Sequence, residues 1–434
     1  LENTYYDTPD FALKKRRIAL RHRRTRWGWL LTVKSAEPAA GALAQRSEWE
    51  APSQPGEFDF SHVDNAALRR ELEALAPTLT PIFATDFLRT TWIVSPVAGT
   101  RIEVALDRGD IRCGARTAPI CEVELELLEG EVSTLFDVAL ALQAQVPLRP
   151  AAASKAERGL ALFAGEAPAP VRAGKSPVTE AMTPVAAFQA VAFDCLDQIQ
   201  RNEAGTLQGE NPEYLHQLRV AIRRLRAALR FWKPILPVEF IAAYAAPWSA
   251  VAQTIGDARN WDVLATQTLP PLLDGFPSHR RIAGLKAHAE NHRRIALREV
   301  RATLAAPGFA HLMLAFSAAV HALPDIPVCE PLDFFARRRL KRFYGDVQAL
   351  AGALDADPEA HHRLRIAIKR LRYALEFVGP LYRRTRVRRF LGGASELQEL
   401  LGAMNDIAVA GSLIAEHRRS GSDDLVTGWL AGRS

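Results

Sequence analysis

Cysteine is scarce in this sequence. Cys113, Cys121, Cys195 and Cys329 are scattered over 434 residues; none forms a Cys-x-x-Cys pair, and no histidine cluster accompanies them. A zinc site or disulfide framework is therefore not expected, and free, mostly buried thiols in a reducing cytoplasm are. Long hydrophobic runs are also missing. The longest mainly apolar stretch, near Leu312–Leu323, is bounded and broken by His311 and His321. It falls short of the ~20 residues that span a bilayer, so no membrane partner is expected. The opening residues, Leu1 to Asp7, lack a secretory-leader pattern, and the start at Leu1 rather than Met makes upstream residues an expectation.

What is present suits packed domains. Hydrophobic residues make up 48% and charged residues 24%, values that rule out a wholly disordered chain. At about 150 residues per domain, the length suggests two or three. The net charge of +6 is unevenly placed: 22 basic and 23 acidic residues lie through Lys175, against 33 and 26 beyond it. The later part therefore carries the whole excess, which points to an anionic partner such as nucleic acid, polyphosphate or a membrane surface.

The first ~165 residues read mainly as strands, at Ile18–Arg23, Trp29–Lys34, Arg46–Glu50, Thr91–Ser95, Thr100–Leu106 and Cys121–Leu127, each bounded by turn residues. One helix is predicted over Asn65–Ala76. Residues 166–179, rich in Pro, Ala and Gly, read as a linker. From 180 to 434 the pattern is helical, with about eight amphipathic segments punctuated by proline. The fold class is thus α+β and multidomain.

The helical part contains a repeat. His216-Gln217-Leu218-Arg219-Val220-Ala221-Ile222-Arg223-Arg224-Leu225-Arg226 returns as His362-Arg363-Leu364-Arg365-Ile366-Ala367-Ile368-Lys369-Arg370-Leu371-Arg372, 146 residues later. At the same offset Gly256 meets Gly402, Asn260 meets Asp406 and Phe188 meets Phe334. Two copies of a four-helix unit are predicted, over about 180–325 and 326–434.

Both parts carry ionic patterns that demand an explanation. On the strands, Arg21 and Arg23 share a face, as do Thr32 and Lys34, then Arg46, Glu48 and Glu50, then Arg101, Glu103 and Asp107, then Glu122, Glu124 and Glu126. If the apolar faces turn outward under helices, a closed barrel would enclose cations and carboxylates together. Such a lumen would hold phosphate oxygens on Arg and Lys and a hard divalent cation, Mg²⁺ or Mn²⁺, on the carboxylates. On the helices, His216, Arg219, Arg223, Arg226 and Arg230 line one face at 3–4 spacing, and His362, Arg365, Lys369 and Arg372 line its counterpart. Glu376 replaces Arg230 in the second copy. Adjacent like charges repel, so a duplicated cationic stripe fits an anionic ligand. Arg337–Arg339 and the arginines of 383–389 could extend it.

At this point the sequence resembles known families. Tyr5-Tyr6-Asp7-Thr8-Pro9-Asp10, Ala19-Leu20-Arg21-His22-Arg23, Thr32-Val33-Lys34, Arg46-Ser47-Glu48 and Phe87-Leu88-Arg89 resemble, in order, the CYTH family of triphosphate tunnel enzymes. The stretches 102–109, 121–127 and Ser154-Lys155 continue the match. The resemblance covers about 1–165 and implies an eight-stranded antiparallel tunnel, a β-tunnel that hydrolyses triphosphates with a divalent metal. It implies that Arg21, Arg23, Lys34, Arg46, Arg89 and Lys155 hold phosphates. Glu48, Glu103 and Lys155 are the candidate catalytic residues, and Asp107, Glu122 and Glu124 the candidate metal ligands. The family's opening Glu-x-Glu-x-Lys strand would precede Leu1, and the chain as given lacks it.

The two repeated basic helices, with Gly256-Asp257-Ala258-Arg259-Asn260-Trp261-Asp262-Val263 and Gly402-Ala403-Met404-Asn405-Asp406, resemble the CHAD domain over about 180–434. That resemblance implies two four-helix bundles with a basic surface for inorganic polyphosphate. Asn260 stands where the family usually has Asp, and the family often continues past Gly428-Trp429-Leu430. The combined expectation is a polyphosphate-binding inorganic triphosphatase, cytoplasmic and recruited to polyphosphate granules, acting on a tripolyphosphate-like substrate. The alternative is a non-catalytic polyphosphate-binding or granule-targeting protein with an inactive tunnel. Nucleic acid is disfavoured as partner, because the basic helices lack interleaved stacking aromatics and a helix-turn-helix signature.

Overall fold

The computed structural model describes residues 1–36, 46–151, 153–165, 169–209, 211–276, 280–324, 330–352 and 358–417. The chain divides into two compact units. One comprises Leu1–Ala169 with Met313–His321, the other Pro170–Leu312 with Ala322–Ser434.

The first unit is built on one antiparallel sheet. Its strands are β1 (Glu2–Asp7), β2 (Ile18–Thr25), β3 (Gly28–Ala36), β4 (Arg46–Pro52), β5 (Thr80–Val94), β6 (Arg101–Cys113) and β7 (Arg116–Glu129), in the order β4-β3-β2-β1-β5-β6-β7. Helices α1 (Ala12–Lys15), α2 (Ala66–Leu75), α3 (Val132–Gln145) and α4 (Lys155–Ala164) surround it. Seven strands stand among the described residues, where the resemblance implies eight. Strands β5, β6 and β7 run to 15, 13 and 14 residues, well past the short apolar runs legible in the sequence. β1 is a strand that the apolar pattern does not mark.

Alternation along the strands separates two faces. Tyr6, Leu20, Leu31 and Val33 lie on one face and pack with Leu13, Phe60, Val63 and Leu72. Each such buried side chain contributes roughly 1.5–3 kcal/mol. The other face is ionic. Across the ladder Tyr5 pairs with Arg21, Arg21 with Thr32, Thr32 with Glu50, and Lys34 with Glu48. Arg89 pairs with Asp107, and Asp107 with Glu122. Lys34 on β3 and Glu124 on β7 interact electrostatically although they lie at nearly opposite ends of the strand order, so the sheet is curled around this face. Helix α4 packs into the same face at one end: Ala156, Leu160 and Phe163 meet Tyr5, Phe83, Phe87, Ile111 and Ile120.

Two glycines allow this closeness. A Cβ on Gly109 would lie 2.1 Å from the Asp86 carbonyl oxygen of β5, and one on Gly159 of α4 would lie 2.1 Å from the Phe83 ring. The Asp7–Asp10 segment is structural. Asp7, 2% exposed, accepts hydrogen bonds from the backbone N–H groups of Thr8, Leu13 and Lys14, which closes the turn into α1. Ser154 caps α4 through a reciprocal capping box with Glu157 and so fixes Lys155 at the first helical position.

The second unit is helical: α5 (Pro184–Gln208), α6 (Pro212–Trp232), α7 (Val238–Val263), α8 (Leu269–Gly275), α9 (Arg280–Ala305), α10 (Pro307–His321), α11 (Leu332–Gly352), α12 (Pro358–Val378) and α13 (Arg384–His417), α10 running into Met313–His321. The repeat is visible in the element boundaries. α6 and α12 stand 146 residues apart at both ends, and α7 and α13 at their starts. One sequence pairing slips. Phe188 is fully buried, but Phe334 is 58% exposed, and its neighbour Phe335 is the buried ring. One residue turns a helix by about 100°, so a single-residue shift of α11 exchanges the inward side chain.

Aromatic rings join the copies. Trp232 lies 5.9 Å from Phe188 and 5.7 Å from Phe377, and Phe231 lies 5.7 Å from Phe335. Arg339, expected on the basic surface, is buried instead, and donates to the Phe231 and Arg230 carbonyls at the end of α6. No single helix among the described residues is long and apolar enough to cross a membrane.

Candidate functional site

On the concave face of the sheet, β2 and β3 supply the cations. Arg21, 6% exposed, donates to the Tyr5 hydroxyl at 3.2 Å and lies 3.7 Å from Glu48. Its Nε and Nη2 are buried without a hydrogen-bond partner among the described residues. Unsatisfied buried donors of this kind are costly, and an anion would satisfy them. Arg23 reaches Asn3 at 3.4 Å and Glu50 at 3.5 Å. Lys34 pairs with Glu48 at 2.7 Å. Burial, and then Arg21, pull the Lys34 pKa down, while Glu48 and Glu124 oppose the shift. The Arg46 side chain lies outside the described residues. Glu103 stands on the same face, opposite Glu126.

The far side of that face holds a denser network. Asp107, fully buried, accepts from Arg89 Nε at 2.7 Å and Nη2 at 2.6 Å. Lys155 Nζ lies 2.7 Å from Asp107 and 2.8 Å from Glu124, and also contacts Glu122. Arg89 also donates to Glu124, and Arg158 to Glu122 at 2.9 Å. Burial would raise the Glu124 pKa, but Lys155 and Arg89 outweigh it and hold the carboxyl at about 2. Burial likewise opposes the charge on Lys155, and the carboxylates overcome it and raise its pKa.

Asp107, Glu122 and Glu124 place one oxygen each within 4.8 Å of one another. Three hard oxygen donors are a suitable set for Mg²⁺ or Mn²⁺. The same oxygens, however, are the partners of Lys155 and Arg89, so a dication fits this trio only where the Lys155 ammonium yields its place. The structure therefore puts Lys155 among the carboxylates rather than beside the Arg21–Lys34 group.

In the helical unit the basic stripes of α6 and α12 face one seam. Arg223 donates to the Tyr373 hydroxyl of α12 at 2.6 Å. Arg219 is surrounded by Arg223, Arg259 of α7 and Arg365 of α12; burial first, then these like charges, lower its pKa to about 10. His216 is lowered by burial and by Arg259, Arg223 and Arg219, with Glu213 opposing. Arg226 donates to Ser249 at 3.0 Å, and Arg230 feels Arg370 and Arg226. Arg372 pairs with Glu376 at 2.9 Å. Lys369 is half-buried and His362 exposed on the same helix. Arg224 is not part of the stripe: buried, it pairs with Asp194 at 2.9 Å and Gln198 at 3.0 Å.

Sequence reasoning missed Arg158, Arg259 and Arg370. Arg259 sits inside the Gly256–Val263 motif, which was signal enough. Asp262, 4% exposed, holds Arg259 and also Arg293 at 2.9 Å, so the acid that orients the arginine of this motif lies two residues beyond Asn260. The side chains of 403–406 lie outside the described residues.

Comparison with known proteins gives the same division. The family model for the CYTH domain matches residues 1–160, and that for the CHAD domain matches 190–415. An inorganic triphosphatase of Haemophilus influenzae is 40% identical over 165 residues, covering 37% of this chain and 46% of that protein. The chain thus spans under half the length of that relative. The crystal structure of the CHAD domain from the plant Ricinus communis matches with a TM-score of 0.52 and 32% identity, over 61% of this chain and 91% of that one.

Proposed function

Because this chain belongs to the CHAD domain family and carries a CYTH domain ahead of it, we propose that its first unit hydrolyses tripolyphosphate or a related triphosphate and that its helical unit docks inorganic polyphosphate. The observation that carries the enzymatic half is Arg21, a buried guanidinium whose Nε and Nη2 make no hydrogen bond among the described residues, on a concave face shared with Arg23 and Lys34. Similarity to the Haemophilus influenzae inorganic triphosphatase supports the same substrate class.

In this reading Arg21, Arg23 and Lys34 bind and align the phosphate chain. Glu48, held by Lys34 and close to Arg21, is placed to accept a proton from an attacking water. Asp107, Glu122 and Glu124 would hold a divalent metal once Lys155 turns out of them. Bound there, the metal would supply Lewis-acid neutralisation of phosphoryl oxygens. The displaced Lys155 would then be a further phosphate ligand. The helical seam would hold long polyphosphate and recruit the protein to polyphosphate granules.

The test is orthophosphate release from tripolyphosphate, with Mg²⁺ or Mn²⁺ and with EDTA. Metal-dependent turnover that falls about 100-fold or more in Arg21→Gln supports the enzyme; no turnover with either metal overturns it. One observation favours a second reading. Lys155, with Arg89 and Arg158, already neutralises the carboxylate trio, as an inactive tunnel that only binds anions would require. Tripolyphosphate binding that survives EDTA, without turnover, would select that reading.

A further inference from the structure

The two copies are not equivalent along their seam, and the difference lies in charge. The 146-residue offset makes Arg224 the counterpart of Arg370, and Arg230 the counterpart of Glu376. The electrostatic pair Arg230 and Arg370 is therefore the pseudo-symmetric mate of the pair Arg224 and Glu376. Both interactions are electrostatic and opposite in sign: Arg370 repels Arg230, and Arg224 attracts Glu376.

Their chemistry is opposite. At one end, Arg224 is fully provided for by Asp194 at 2.9 Å and Gln198 at 3.0 Å on α5, and Glu376 adds a carboxylate that pairs with Arg372 at 2.9 Å. At the other end, the one-residue shift of α11 makes Lys341 and Gly345 the residues matching Asp194 and Gln198, and neither is anionic. Arg370 has no carboxylate at those two positions, and its Nε is buried without a hydrogen-bond partner among the described residues. Arg230 and Arg226 crowd the same end with charge of the same sign. A buried guanidinium nitrogen left unmatched among like charges is a place where an anion lowers the energy of the protein.

We propose that Arg370, with Arg226 and Arg230, forms a terminal phosphate site at one end of the α6–α12 seam, and that Glu376 closes the other end, so that a phosphate chain is gripped asymmetrically. This rests on the polyphosphate-docking reading and adds a polarity to it. Arg370 supplies the charge-assisted hydrogen bonds to phosphate oxygens. Glu376 repels phosphate from the end where Arg224 is already satisfied.

The experiment is calorimetric titration of the full chain with long-chain sodium polyphosphate at several salt concentrations. The proteins compared are wild type, Arg370→Gln, Glu376→Gln and Glu376→Arg. Arg370→Gln is expected to bind about tenfold more weakly, the loss of one charge-assisted hydrogen bond, with a shallower salt dependence and an unchanged melting temperature. Glu376→Gln is expected to bind two- to threefold more tightly than wild type. Glu376→Arg is expected to bind more tightly still, with the slope of log affinity against log salt steeper by about 0.7, one extra phosphate contact. Wild-type binding with no change in Arg370→Gln, or weaker binding in both Glu376 variants, overturns the asymmetry while leaving docking intact. An absence of binding in all four proteins overturns docking and the asymmetry together.

Discussion

Replacing Lys155 by methionine keeps the length of the side chain and removes its charge. The surroundings set the cost. Lys155 is 6% exposed and meets three carboxylates, one of them the fully buried Asp107. Without it, Asp107, Glu122 and Glu124 retain only Arg89 and Arg158 among these partners. Breaking a buried ion pair by removing one partner costs about 3–5 kcal/mol. For a unit of this size, 1 kcal/mol moves the melting temperature by about 2–4 °C. The melting transition of the first unit should therefore fall by roughly 6–20 °C, read by differential scanning calorimetry.

The pH dependence identifies the cause. In the native protein Lys155 and Arg89 hold Glu124 at about 2. Loss of Lys155 lets that pKa rise, so the deficit of the variant is largest at neutral pH and shrinks as pH falls through the carboxylate range. Adding Glu122→Gln removes one uncompensated charge and should recover part of the loss. Equal melting of wild type and variant at neutral pH, or a deficit independent of pH, would refute the view that Lys155 is the central counter-charge.

Three other properties can be measured on the same structure. Because the Glu124 pKa is lowered on folding, its stabilisation is full above about 4.5 and is lost as pH falls toward about 2; its side chain is 46% exposed, so solvent screening leaves about 1 kcal/mol, and Glu124→Gln should flatten this limb of an acid-denaturation series. Burial pushes the Cys195 thiol up to about 12, so thiol labelling at pH 8 with peptide mass spectrometry should mark Cys121 quickly and Cys195 only after denaturation. Arg224→Ala strips Asp194 and Gln198 of their buried partner and should cost about 3–5 kcal/mol in denaturant unfolding, whereas Arg370→Ala, whose Nε has no hydrogen-bond partner among the described residues, should cost under about 1 kcal/mol.

The ionic strand faces are legible in the sequence because alternation is a local rule: Arg21, Lys34, Glu48, Asp107 and Glu122 do share one face of the sheet. The repeat is legible because α6 and α12 preserve their spacing at both ends. Other features depend on partners far apart in the chain. Lys155 resembles a phosphate ligand by motif, but its place among Asp107, Glu122 and Glu124 depends on how α4 packs against β6 and β7. Arg339 reads as one of three surface arginines, yet the turn of α11 directs it to the carbonyl end of α6. Arg370 cannot be distinguished from its neighbours in a basic run until the partners of its counterpart Arg224 are visible. Strand lengths in β5 to β7 are underestimated because charged residues inside the curl interrupt the apolar runs that mark a strand.

The claim uniting the two halves is that this chain grips linear phosphate. It is tested most directly by titrating the full chain with long-chain polyphosphate, beside a variant in which Arg219, Arg223, Arg365 and Lys369 are all changed to glutamate. The account predicts tight binding by wild type that weakens steeply between about 50 and 200 mM salt, and little residual binding in the variant, whose folding is checked by its helical circular-dichroism signal. Equal binding by the two proteins, or binding by wild type that is insensitive to salt, would contradict it.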